Sequence, residues 1–215
     1  MSKTIQELRQ AIVDGDDELA SQKAEAALIE GLAPMDVMQQ GAVCGIEDSS
    51  RIWNDGRYFF PDMLLSAGAL TAALEVIQPK LVETSGQRKG HIVLGVVAGD
   101  QHDLGKMIVT AALSGAGYEV IDLGVDVPDQ TFVDKVRQLK PDILGLGTSL
   151  TTTMPRMKAV IDSLKAAGLR LQVKVVIGGV PTSQKFAEEI GADAWGKDAL
   201  DAVAKAGILL SLHQG

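Results

Sequence analysis

Cysteine is almost missing from this chain: Cys44 is the single one in 215 residues. That excludes an intrachain disulfide and any cysteine-built metal site, and it fits a reducing cytoplasm. Cys44 lies in MQQGAVCGIEDSS, a helical pattern, where a small buried core residue is expected. An excess of basic charge is also missing. The net charge of −8 argues against nucleic acid or an anionic membrane surface as partner. Apolar runs are short, none approaching the roughly 20 residues that span a bilayer. Met1 is followed by a polar, helix-forming stretch, so no signal peptide is expected. Neither GxGxxG after the first apolar run nor GxxxxGK[ST] occurs, which demotes nucleotide binding. Histidine is rare as well, at three residues.

What is present falls into two grammars, within a length that allows one large domain or two small ones. Through Arg88 the chain carries 14 acidic and 7 basic residues, hence −7; from Lys89 onward 14 and 13, hence −1. The first part, to about 83, reads as helices only. TIQELRQAIVDG places Ile5, Leu8 and Ile12 on one stripe and stops at Gly15. DDELASQKAEAALIEG has the acidic start and glycine end of a helix. Pro34 can open a third helix running to about Asn54, and a fourth from Pro61 carries Leu64, Ala67, Leu70, Leu74, Ile77 and Leu81 at helical spacing. Four helices with short connections predict a small bundle. ETSGQRKG (83–90) is the candidate linker.

Beyond it HIVLGVV, EVIDLG, DILGLG and VKVVIGG are short β-branched runs suited to a parallel sheet buried on both faces. Helical patterns at 104–116, 129–139, 153–167 and 182–190 separate them, and DAWG precedes a last helix at 198–211. Five βα units predict a doubly wound α/β domain, with ligands beyond the carboxyl ends of the strands.

The first strand-end loop is VVAGDQHDLGKMIV (96–109). Its plainer reading is an Asp-rich helix cap, with Asp103 as N-cap and a solvent-facing His102. The alternative is a ligand imidazole whose Nδ1 proton is taken by Asp100, directing Nε2 outward. With no second histidine or cysteine nearby, an independent zinc site is poor. A lone imidazole suits a metal that arrives in a macrocycle. GLGTSLTTTM (145–154), with hydroxyls at Thr148, Ser149, Thr151, Thr152 and Thr153, and IGGVPTS (177–183) could line a slot for a long, mostly uncharged group. Taken singly these loops are ordinary turns, with Thr153 a plausible helix cap.

Together these residues resemble the cobalamin-binding (B12-binding) proteins, marked by DxHxxG, a hydroxyl-bearing SxL segment about forty residues on, and GG. DxHxxG is Asp100-Gln101-His102-Asp103-Leu104-Gly105, and GG is Gly178-Gly179. The middle element departs from the pattern, with Gly147 where serine is frequent. WNDGRYFFPDMLLSAGAL (53–70) looks like the helical cap segment of methionine synthase and of corrinoid methyl carriers. DLGVDVP (122–128) and LTTTM are similar to the small corrinoid proteins of methyltransferase systems.

The resemblance implies a four-helix cap bundle over 1–88 and a five-stranded flavodoxin-like or Rossmann-like cobalamin domain over 89–215. It makes His102 the lower axial ligand of cobalt, with Asp100 hydrogen-bonded to it and Thr148 or Ser149 extending the relay. Gly105, Gly178 and Gly179 would give the nucleotide tail room, and Asp103, Leu104, Leu150 and Thr152 would join the cofactor contacts. Trp53, Phe60 and Met63 would cover the upper corrin face, with bundle core as the alternative. Trp195 would be either a wall of the tail slot or core packing.

The function implied is a carrier rather than a complete enzyme. Its cobalamin would cycle between cob(I)alamin and methylcob(III)amide. A barrel-type substrate methyltransferase would load it and a second methyltransferase would unload it to tetrahydrofolate or to a thiol such as coenzyme M. A reductive activase would be a further partner, and neither nucleic acid nor membrane is expected. The acidic cap is expected to steer docking and to move aside on its linker. A cobalamin-binding sensor and the B12 subunit of a mutase are the competing readings. Methylamines, betaines, methanol and aromatic methyl ethers all stay open as donors.

Overall fold

The computed structural model describes residues 2–84 and 89–211. The chain divides into two compact units, Met1–Ser85 and Gly86–Gly215. Residues 85–88 of the expected linker lie outside the described residues, while Glu83 and Thr84 still belong to a helix.

The first unit is all helical. Helix α1 (Lys3–Asp14) starts where the Ser2 hydroxyl accepts the Ile5 N–H, and it ends on Gly15 at φ 71°. Helix α2 (Asp17–Ile29) is capped by Asp16, whose carboxylate accepts the Leu19 N–H at 2.9 Å. Its buried face is Ala20, Ala24 and Ala27, small enough for a close neighbour. The third helical stretch is composite: α3 (Pro34–Asp36), a π-helical segment (Val37–Val43) and α4 (Cys44–Asn54) follow end to end. Cys44 is half-buried rather than part of the closed core.

Helix α5 (Phe60–Thr84) begins one residue before the expected Pro61, and Asp62 accepts the Phe59 N–H at 2.7 Å. Leu70, Leu74, Ile77 and Leu81 are buried as their spacing predicts, whereas Leu64 is exposed. This helix corrects one expectation. Phe60–Glu83 is long and apolar enough to cross a membrane by length and composition, because alanines and a threonine bridge the shorter apolar runs. Its buried residues supply the core of the helical unit.

Close helix approach depends on Gly45. A Cβ there would lie 2.9 Å from Ile12 Cβ and 3.0 Å from the Arg9 carbonyl oxygen. Gly45→Ala is therefore expected to lower stability by roughly 1–3 kcal/mol through overpacking, despite alanine's better helix propensity. A urea melt followed by circular dichroism measures this; a stabilised variant would contradict the packing. Beside this contact the Arg9 guanidinium forks onto both oxygens of Asp48, which also pairs with Arg51. Hydrogen bonding from Arg9 holds the Asp48 carboxyl below its ordinary value, against the opposing effect of burial.

The second unit is a parallel sheet of β1 (His91–Val96), β2 (Glu119–Asp122), β3 (Ile143–Gly147), β4 (Lys174–Gly178) and β5 (Ala194–Gly196). The strand order is β2-β1-β3-β4-β5. Val93, Leu144 and Val175 lie in register across it. They face a core built with α7 (Asp129–Leu139), α8 (Met154–Ala166) and α9 (Gln184–Ile190) through Phe132, Met157, Leu164 and Ile190. Ile92 and Ile143 face the other way, onto Leu113 of α6 (Leu104–Gly115) and Ala206 of α10 (Ala199–Ser211). Helices on both faces explain why these strands read as continuous apolar runs. Order reverses between β1 and β3, the switch point at whose carboxyl end open α/β sheets place their ligands.

Candidate cofactor-binding site

The candidate site is built from the loops that leave β1 and β3, which Asp100 joins through Thr148 and Ser149. After β1 the chain turns sharply, with the Asp100 N–H donating to the Val97 carbonyl at 3.2 Å and Gly99 at φ 85°. That turn directs Asp100 inward, where it is fully buried. Its Oδ1 accepts the His102 N–H at 3.0 Å and His102 Nδ1 at 2.6 Å. Its Oδ2 accepts the Thr148 hydroxyl at 2.9 Å and the Ser149 N–H at 2.6 Å. All four acceptor positions of the carboxylate are thereby filled. Burial alone would raise this carboxyl's pKa. The N–H groups of Ser149 and His102, the imidazole and the Thr148 hydroxyl outweigh it and hold the value at about 2.

An ionised Asp100 only accepts, so Nδ1 carries a proton, and in the neutral ring Nε2 is then the nitrogen with the lone pair. Among the described residues Nε2 has no hydrogen-bond partner, and the His102 side chain is 59% exposed. The Thr148 proton is committed to Asp100, so the Thr153 hydroxyl at 2.6 Å donates to Thr148 Oγ1. The relay thus runs Thr153, Thr148, Asp100, His102. Glycine at 147 costs it nothing: Thr148 supplies the hydroxyl and Ser149 contributes its backbone.

Two expectations change here. Thr153 stands at the N-cap of α8 and Asp103 at that of α6, but neither side chain caps its helix. The Thr153 hydroxyl is taken by the relay, and the Asp103 carboxylate pairs with Lys106 Nζ at 2.8 Å. Leu104 opens α6 half-buried, and the Leu150 carbonyl oxygen lies 3.1 Å from the Thr153 hydroxyl oxygen, whose one proton goes to Thr148. Thr152 is exposed at the loop.

The glycines behave as a cradle. A Cβ on Gly105 would meet nothing within 4 Å. Gly179, at φ 118°, lies against the backbone of Thr148, and Gly178 pairs with Gly196 of β5. Trp195 packs on the sheet core, and its Nε1–H donates to the Thr182 hydroxyl at 2.9 Å. Thr182 in turn donates to the Gly179 carbonyl at 2.6 Å, so the indole serves the core and braces the GG turn together.

Trp53 and Phe60, in the helical unit, are 42% and 70% exposed. That rules out bundle core for both; Met63 is half-buried. Residues the sequence did not single out are Thr182, Lys106, Asp122 and Asp126. The last adopts φ 52° and accepts the Gly99 N–H at 2.7 Å, while its own N–H donates to the Asp100 carbonyl at 2.9 Å. The sequence signal for it was DLGVDVP, an aspartate after a strand-end glycine, where a left-handed turn is tolerated.

A fixed imidazole with one outward nitrogen, three residues before open backbone at Gly105, fits a metal that brings a ring and a tail. The chain lacks the second and third donors an independent ion would need: among the described residues no three His, Cys, Asp or Glu side chains are grouped to hold one.

Comparison with known proteins agrees. Residues 90–204 match the family described as B12 binding domain, and residues 4–78 match a second family of the same description. A corrinoid protein of Desulfitobacterium hafniense is 44% identical over 209 residues, covering 96% of this chain and 97% of its own. The solved monomethylamine corrinoid protein of Methanosarcina barkeri superposes with a TM-score of 0.85 at 32% identity, covering 95% of this chain and 96% of its own. The methanol:cobalamin methyltransferase complex of the same organism gives a TM-score of 0.55 at 30% identity, covering 98% of this chain and 80% of the matched chain. With B12-binding families matched over both units and a corrinoid protein matched over nearly the whole chain, the chain belongs to the B12-binding corrinoid proteins.

Proposed function

We propose that this protein is a methyl carrier, loaded by a substrate-specific methyltransferase and unloaded by a second one that passes the group to tetrahydrofolate or a thiol. The observation that carries this reading is His102, held at Nδ1 by Asp100 with Nε2 free. When bound, the corrinoid supplies a cobalt centre that takes up and surrenders a methyl group. His102 Nε2 would hold the metal. Asp100 fixes the tautomer and ring direction, and Thr148 and Thr153 fix Asp100. Gly105 would leave backbone open to the tail, Gly178 and Gly179 would shape the loop beside it, and Asp103, Leu104, Leu150, Thr152 and Trp195 would join the contacts. Trp53, Phe60 and Met63 offer apolar surface to shield the methyl group from water.

Methylated amines are the donor class we favour over methanol, since the likeness to the monomethylamine corrinoid protein is the stronger of the two solved matches. A barrel-type donor methyltransferase, a reductive activase, a cytoplasmic setting and docking steered by the acidic helical unit complete the proposal. The test is single-turnover methylation of the reduced holoprotein, followed by absorption. With methylamine and an amine methyltransferase the reduced spectrum should give way to the methylated one within the assay. Adding the second methyltransferase and its acceptor should then reverse it. A spectrum unmoved by any methylated donor, but bleached by light in the adenosylated form, would sink the carrier reading and support a sensor.

A further inference from the structure

Lys106, one turn into α6, has a side chain only 5% exposed, and no step above uses its ammonium. Its Nζ meets Asp103 Oδ1 at 2.8 Å and also Asp122 Oδ2, at the end of β2. Taking an ammonium and a carboxylate out of water costs several kcal/mol per ion, and an apolar side chain of similar volume often serves stability as well. What the triad does deliver is registry between three pieces of chain. Asp103 directly follows His102, Lys106 sits in α6, and Asp122 closes β2 while its other oxygen accepts the Gly124 N–H at 2.8 Å. Asp126 makes a second link between the same two loops, through Gly99 and Asp100. The His102 segment is thus anchored to the β3 loop through Asp100 and to the β2 loop through Lys106.

We propose that Lys106 is a positioning residue for His102, pinning residues 102–103 to the end of β2 so that the imidazole stays aimed at the metal; this rests on His102 being the axial ligand. Without the ammonium, Asp103 and Asp122 repel each other and the start of α6 loosens. The cost falls on the His102–cobalt bond rather than on retention of the tail.

The readout is electron paramagnetic resonance of the Co(II) form, using full-length protein labelled with 15N-histidine and reconstituted with cobalamin. Axial coordination by a protein histidine splits the cobalt lines into doublets; the cofactor's own 14N base gives triplets. Lys106→Met should keep cobalamin through desalting yet show the doublet fraction reduced about threefold, short of the roughly tenfold or greater effect of groups bonded directly to a metal ligand. Asp122→Asn, which leaves Lys106 one partner, should shift the fraction the same way by less, and it decides the matter if Lys106→Met does not fold. Wild-type doublet fractions in the folded variants, with the doublet lost in His102→Ala, would overturn the role of Lys106. A doublet surviving in His102→Ala would overturn the axial assignment itself.

Discussion

His102→Ala is expected to abolish histidine coordination of the cobalt completely. In 15N-histidine-labelled protein the doublet splitting of the Co(II) signal should vanish, leaving either no axial nitrogen or the cofactor's own base. Among the described residues no histidine stands ready to substitute. His91, the other described histidine, stands at the opposite end of β1, where its ring pairs with Glu119 at 2.8 Å. Asp100→Asn makes the informative companion. An amide offers one acceptor oxygen where the carboxylate serves four donors, and its NH2 would face a donor already in place. Coordination should persist in that variant with cofactor affinity down by about 10–100-fold, measured by equilibrium titration. Full retention of the doublet in His102→Ala would refute the site.

Gly179→Ala carries the largest expected cost in stability. The residue sits at φ 118°, outside the range that side-chain-bearing residues adopt, and a Cβ there would lie 1.7 Å from the Thr148 carbonyl oxygen. That oxygen cannot simply retreat, because Thr148 donates through its backbone to Gly178 and through its hydroxyl to Asp100. Backbone strain and displacement together are expected to cost roughly 3–5 kcal/mol, read from urea melts of the cofactor-free chain. Gly178→Ala is the control: its nearest contact would be the Gly196 carbonyl oxygen at 3.3 Å, so a much smaller loss is expected. Equal losses at the two positions would show that the tight approach of the two loops is wrong.

The architecture was largely legible in the sequence, because a sheet buried on both faces demands runs such as HIVLGVV and DILGLG. The DxHxxG loop alone reads as an Asp-rich helix cap; it becomes legible only beside the other strand-end loops and the helical cap segment, through the family resemblance. The choice between Thr148 and Ser149 was not. It turns on which side chain faces a carboxylate 48 residues earlier in the chain, and adjacent hydroxyls in a turn carry no periodicity to decide that. Thr153 and Asp103 were misread for a related reason. A capping position predicts a hydrogen bond to a backbone N–H of the first turn, but here Asp103 pairs with the Lys106 ammonium and Thr153 with the Thr148 hydroxyl instead. Lys106 escaped notice because lysine in an amphipathic helix reads as solvent-facing, and its burial follows from Asp122, which arrives by way of another strand. The exposure of Trp53 and Phe60 was equally hidden, since helical spacing gives a face and not what covers it.

The filled carboxylate of Asp100 has a kinematic consequence. His102 is tied to one oxygen twice, through its ring and through its own backbone N–H. Turning the ring aside on its side-chain torsions would break a hydrogen bond to a charged group, worth roughly 1.5–3 kcal/mol, with no vacant acceptor to replace it. The imidazole therefore acts as a fixed post. A group held at Nε2 would meet a nitrogen that keeps its place while that group comes and goes.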